Sequence, residues 1–235
     1  FMASEIIKKL ILTLIVLISN MSGAQIDRSV PDAEPAPEIK FRSPITKKLN
    51  NNLTLMIVVD NKLPKASATL IIDNPPILSK DKSGIRSLLS SSLGKGNKYQ
   101  SKDEFIEEKD FMGSSINYNS SGGSLSSLSR YFERTLTMFA QGAFYPEFNE
   151  EEFDKEKTKL IESLKVNEKN ASTIARRVED IIAFGTNHPR SEYTTQESVS
   201  KIELSDVSNF YKTYFKPNNA YLVILGDVDV DRSIQ

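Results

Sequence analysis

The sequence predicts an α+β fold: a mostly antiparallel sheet with helices packed on one of its faces. Two observations carry that reading. Short aliphatic and β-branched runs, LTLMIVVD at 53–60 and SATLII at 67–72 foremost, read as strands, and strands come in pairs. Between the pairs stand segments with apolar residues at helical spacing, the layer such a sheet needs to bury a face.

Taken in order, the folded part begins near Phe41. Asn50, Asn51 and Asn52 suit a turn, because asparagine tolerates left-handed backbone angles, and strand 53–60 follows. Residues 61–64 turn into strand 67–72, a spacing that implies a hairpin or a neighbouring pair. Residues 82–93 form a helix with Ile85, Leu88, Leu89 and Leu93 on one face, stopped by Gly94 and Gly96. A helix over 101–111 opens with Ser101 and Glu104 at capping-box spacing. Ile116 and Tyr118 alternate with polar neighbours in a strand at 115–119, and Gly122-Gly123 turns into another holding Leu125 and Leu128. Phe132, Leu136 and Phe139 mark a helix over 130–141. After Pro146, Asn149 caps a long charged helix to about Glu168, with Phe153, Leu160, Ile161 and Leu164 as its apolar positions. Helices at 172–184 and 205–215 follow, the latter ended by Pro217. YLVIL at 221–225 is a last buried strand, and Gly226-Asp227 turns out of it.

Residues 1–24 read as a signal peptide. Lys8 and Lys9 make the positive region, residues 10–18 are apolar except for Thr13, and Ser22-Gly23-Ala24 supplies the small residues a signal peptidase inspects. The apolar run is well short of the ~20 residues of a membrane-spanning helix, so no stable span is expected after cleavage before Gln25. Residues 25–44, with Pro31, Pro35 and Pro37, read as an extended linker. The chain is expected to be exported, periplasmic or outer-envelope associated. It has no cysteine, so its stability comes from packing without disulfides. Thirty basic against 31 acidic residues leave a net charge of −1 and no basic footprint for nucleic acid.

Four stretches carry a family resemblance: LNNNLTL at 49–55, with Asn52 where glycine is usual; GIRSLLSSSLGKGN at 84–97; NHP at 187–189; and FYKTYFKPNNA at 210–220, followed by YLVILGD. In this order and spacing they resemble the N-terminal domain of the insulinase/mitochondrial-processing-peptidase family of zinc proteases, the pitrilysin-like inverzincins. The resemblance covers residues 45–230, and the signal and linker also resemble those of exported Bacteroidetes-type members. It implies a metallopeptidase-like domain over 45–230, with 231–235 opening a linker to a second domain not present here.

The resemblance also locates the departure. Active members carry His-x-x-Glu-His on a helix, two imidazoles binding zinc while the glutamate serves as general base. Aligned through Gly84 and Gly94–Gly96, those places hold Ser87, Ser90 and Ser91. The family's third ligand is a glutamate seven residues after another on the long helix. Glu156 matches the first of these, and the ligand position falls on Ser163, with Glu162 about 100° away around the helix. One histidine, His188, and no cysteine exclude a His/Cys zinc site by counting. No catalytic residue and no metal or cofactor are therefore expected in this chain, zinc belonging only to a catalytic partner.

Other patterns have plainer readings. Ser92 and Lys95 match Ser-x-x-Lys without the wider signature of that chemistry. Gly94-Lys95-Gly96 lacks P-loop spacing, and His188 before Pro189 reads as a turn residue. Opposite charges such as Glu151 and Lys155 mark a solvated helix face. The function implied is a non-catalytic homologue that pairs with an active zinc-peptidase homologue to hold extended peptides for proteolysis, an exposed sheet edge pairing with the peptide. The alternatives are a stand-alone envelope peptide-binding or scaffold module, and a hydrolase using ligands supplied in trans.

Overall fold

The computed structural model describes residues 2–21 and 43–234, in two compact units, Phe1–Phe41 and Arg42–Gln235. In the first, helix α1 (Met2–Met21) contains the apolar run of the expected signal peptide. Among the described residues no helix is long and apolar enough to cross a membrane. The cleavage position at Ala24 and nearly all of the 25–44 linker lie outside the described residues.

The second unit is built on a six-stranded sheet of order β1-β2-β6-β3-β5-β4. Its strands are β1 (Ile45–Lys48), β2 (Thr54–Val59), β3 (Lys65–Ile72), β4 (Ser115–Asn119), β5 (Gly122–Leu128) and β6 (Ala220–Gly226). Every pairing is antiparallel except β2 with β6. The α+β, mostly antiparallel expectation is borne out. Ala66, Ala68, Leu70 and Ile72 of β3 are buried while their alternates are not, so one face of the sheet carries the core. Asn52 adopts φ 69°, the left-handed angle that its turn requires.

Two strand readings need correction. β2 and β3 do not form a hairpin or neighbouring pair: β6 lies between them, parallel to β2 and antiparallel to β3. The short 60–64 connection spans the ~10 Å of two strand spacings instead of closing a tight turn. Gly122-Gly123 lies inside β5; the turn is Ser120-Ser121, closed by Asn119 Oδ1 accepting the Ser121 N–H at 2.8 Å.

Helices cover the buried face. α2 (Ile85–Ser92) buries Ile85, Leu88, Leu89 and Ser92. It starts later than the expected 82, because Lys80–Lys82 is a 3₁₀ turn and Gly84 adopts φ 107°. A Cβ there would stand 2.7 Å from Thr194 Cγ2 and 2.8 Å from Val199 Cγ2, so the entry to α2 requires glycine. α3 (Lys102–Phe111) has the expected capping box, Ser101 accepting the Glu104 N–H and the Glu104 carboxylate accepting the Ser101 N–H at 2.9 Å. α4 (Ser129–Phe144) runs past the expected end at 141 and buries Phe132, Met138 and Phe139. The Tyr118 ring of β4 stacks on Phe139, centroids 5.2 Å apart, and its hydroxyl donates to the Phe139 carbonyl at 3.0 Å. Burial pushes that phenol well above the usual tyrosine range.

α5 (Glu150–Asn167) is capped by Asn149, as expected. α6 (Ala171–Phe184) is capped by Asn170 and has no buried residue. The sequence reading omits α7 (Gln196–Ser200), which delivers Val199 to the core just before Ile202, both fully buried. α8 (Leu204–Tyr214) ends before the 3₁₀ turn Pro217–Asn219 that leads into β6. The stretch expected to open a linker is helical, α9 (Val230–Ile234), with Val230 and Ile234 packed against the core.

Candidate functional site

α2 lies against β4, α5 and α8, so the motif positions occupy a junction of sheet edge and helix layer. Ser87, Ser90 and Ser91 share one side of α2, as residues three and four apart must. Ser87 is exposed, while Ser90 and Ser91 are half-buried. Ser90 Oγ donates to the Arg86 carbonyl at 2.7 Å and accepts the Ser120 N–H at 2.8 Å. Ser91 Oγ donates to the Leu88 carbonyl at 3.1 Å. Ser163 is exposed on α5, and its carbonyl accepts from Asn167 Nδ2 at 2.9 Å. The fold therefore brings three of the four positions together on α2 and sets the fourth on a helix packed against it.

Glu156, also on α5, accepts from Lys95 and Lys159, each at 3.1 Å. Partial burial pushes its carboxyl up, but the hydrogen bonds from Lys159 and Lys95 outweigh that and hold it below the usual glutamate range. Lys95 is thereby engaged, and Ser92 Oγ is buried and donates to the Leu88 carbonyl at 2.7 Å. The Ser-x-x-Lys spacing produces no nucleophile and base pair. His188 stacks on Phe184 at 5.0 Å and accepts the Arg190 N–H on Nδ1 at 3.1 Å. It is a turn residue.

These residues do not fit a zinc ion. Serine hydroxyls are poor zinc ligands, and two of the four already donate to backbone carbonyls of their own helix. Among the described residues, no group of three or more His, Cys, Asp or Glu side chains could hold a metal.

The contact between Ser90 and Ser120 has no counterpart in the sequence reading. It joins α2 to the β4–β5 turn, beside a second link from Arg86 Nη2 to Ser121 Oγ at 3.4 Å. No spacing pattern announces a hydroxyl that meets a backbone N–H thirty residues away. Ser90→Ala leaves the Ser120 N–H without this partner. We expect a loss of about 1–2 kcal/mol in urea unfolding, against no measurable change for Ser87→Ala.

With this geometry in place, comparison with known proteins is informative. Residues 201–235 match the family model for the peptidase M16 inactive domain. A peptidase M16 inactive domain from Pseudomonas fluorescens has a similar fold, with TM-score 0.74 and 18% identity over 82% of this chain and 48% of that one. A protease from Helicobacter pylori gives 0.69 and 19%, over 82% and 48%. The periplasmic protease PqqL from Escherichia coli gives 0.67 and 17%, over 85% and 24%. The chain thus spans about half, or less, of the length of these structures. No curated protein matches it.

The fold is therefore the α+β fold of these structures. Residues 201–235 match the model of the inactive domain, and the resemblance to the zinc protease family is borne out.

Proposed function

We propose that this chain is the silent half of a two-subunit peptidase: exported, inactive alone, and paired in the same envelope compartment with a homologue that holds the zinc. The observation that carries the reading is a fold kept where the metal chemistry is gone. The helix that would bear the motif is well packed, with Leu88 and Leu89 fully buried, yet its motif positions hold serine. Selection on stability alone has no reason to maintain a peptidase half, whereas a partner that needs its shape does.

The peptide contact falls on the free edge of β4. Among the described residues that strand pairs with β5 alone, so its outer N–H and C=O groups are available to an extended peptide. Ser90 ties the β4–β5 turn to α2, which keeps the former metal position and this edge next to one another. The periplasmic relative supports the compartment, and the apolar run in α1 supports export.

The test is an affinity capture of the exported protein from its own envelope extract, with mass spectrometry of what accompanies it. Recovery near one to one of a homologue carrying both histidines and the glutamate is the expected result. Recovery of no such homologue sinks the pairing and leaves a stand-alone peptide-binding or scaffold module.

A further inference from the structure

Between the 60–64 connection and the open face of the sheet lies a cleft of about 500 Å³, within the ~300–1,000 Å³ range of ligand sites. The strand order creates it. The connection has to cross the end of β6, and the chain leaving β6 turns inward, where Val228 and Val230 pack against the core. The crossing therefore takes the open side, and its Lys62 and Leu63 wall the cleft. Register sets the floor. Leu225, Ser67 and Ser126 stand in one row across β6, β3 and β5, and Lys65 and Leu128 pair in the next row, all on the side away from the core.

The lining says what fits. Lys62 and Lys65 are exposed, and neither is in an ion pair among the described residues. Asp60 also lines the cleft, its Oδ1 accepting the Lys62 N–H at 3.3 Å, but the two cations outnumber it. The cleft thus suits an anion. Leu63 and Leu225, exposed by 65 and 48%, offer apolar surface that an aliphatic group would cover. Beside them the Ser67 hydroxyl donates to the Leu225 carbonyl at 3.3 Å, and Ser126 is exposed. An acyl chain would take both hydroxyls out of water with no partner in exchange, whereas a peptide brings N–H and C=O groups.

We infer that this cleft captures the C-terminus of a peptide. The terminal carboxylate lies against Lys62 and Lys65, an aliphatic last side chain covers Leu63 and Leu225, and the preceding amide groups meet Ser67 and Ser126. Exposed charge pairs contribute modestly, so the binding is weak, on the order of 100 μM. No residue of β4 lines the cleft, and its occupancy depends neither on that edge nor on an active partner.

Fluorescence anisotropy of the purified chain with a labelled hexapeptide of serine and alanine ending in leucine reads the capture directly. The free acid should bind at least ~10-fold tighter than the C-terminal amide, because charge-assisted contacts are lost on amidation. Replacing the last leucine by serine should weaken binding at least ~5-fold. Lys62→Gln with Lys65→Gln should abolish the preference for acid over amide, and Lys48→Gln, on β1, should leave it unchanged. These lysines are exposed, and an unchanged thermal unfolding midpoint verifies that each variant is folded. No binding, or equal binding of acid and amide by the parent chain, overturns the inference, whether or not the chain captures an active homologue. So does a preference that survives the double lysine variant. Octanoate that displaces the peptide and binds more tightly than it overturns the inference as well, and makes the cleft an acyl site.

Discussion

Placing histidine at two motif positions and glutamate at the other two (Ser87→His, Ser90→Glu, Ser91→His and Ser163→Glu) should convert this chain into a zinc protein of micromolar or tighter affinity. The parent chain should hold no stoichiometric zinc after dialysis. The geometry favours the graft. Residues 87 and 91 lie one turn apart on α2, so two imidazoles there point to the same side. α5, which carries Ser163, packs against α2, and Ser87 and Ser163 are exposed enough to accept larger side chains. A carboxylate at position 90 can still accept the Ser120 N–H that the hydroxyl now receives. Omitting Ser163→Glu leaves two protein ligands where catalytic zinc sites use three, and should weaken binding at least ~10-fold.

Calorimetric titration gives the affinity, and linkage gives an independent readout. Zinc at a hundredfold excess over its dissociation constant stabilises the folded state by about 2.7 kcal/mol, so the melting temperature should rise with metal in the variant and not in the parent. A four-residue variant that folds but takes up no zinc would mean that these positions on α2 and α5 are not the remains of a metal site. The silent-half reading would then lose its chief support.

The sequence makes some elements plain because their signals are local. Ser101 with Glu104 and Asn149 with Glu152 mark their helix starts by side-chain chemistry within four residues, and both caps form. β2 and β6 read as buried strands because both lie in the sheet interior. β1 escapes notice because all four of its residues are exposed, leaving no burial alternation to detect. α7 is a single short turn whose importance lies in Val199, fixed by packing and not by period.

The insertion of β6 between β2 and β3 is invisible for a different reason. It joins strands some 150 residues apart, and adjacency in sequence argues for the pairing that does not occur. At the site, the four serines acquire meaning only through resemblance, since serine on a helix face is ordinary. The bond of Ser90 to Ser120 becomes visible only once the fold brings the β4–β5 turn against α2.

Gly226→Ala should strongly destabilise the sheet at the buried end of β6. Gly226 ends β6 and is flanked by β2 on one side and β3 on the other, opposite Val59 and Ala66. Its φ is 134°, a value that costs any other residue about 1–3 kcal/mol. A Cβ would also abut the Lys65 carbonyl oxygen and stand 2.7 Å from Ala66 Cα, both backbone atoms. Neither neighbour is free to withdraw. The Lys65 carbonyl accepts the Asp227 N–H at 3.0 Å, and the Gly226 carbonyl accepts the Asp60 N–H at 2.9 Å. Relief of the clash therefore breaks one of these bonds, adding about 1 kcal/mol or more to the strain. A total near 3–5 kcal/mol is a large share of the ~5–15 kcal/mol that holds a domain folded. Urea unfolding should show the midpoint fall sharply, while Thr69→Ala, exposed on the open face of β3, changes stability by under ~1 kcal/mol. An unchanged midpoint for Gly226→Ala would mean that the β2–β6–β3 junction is looser than its hydrogen bonds require. The parallel pairing of β2 with β6, which sets the strand order, would then be in question.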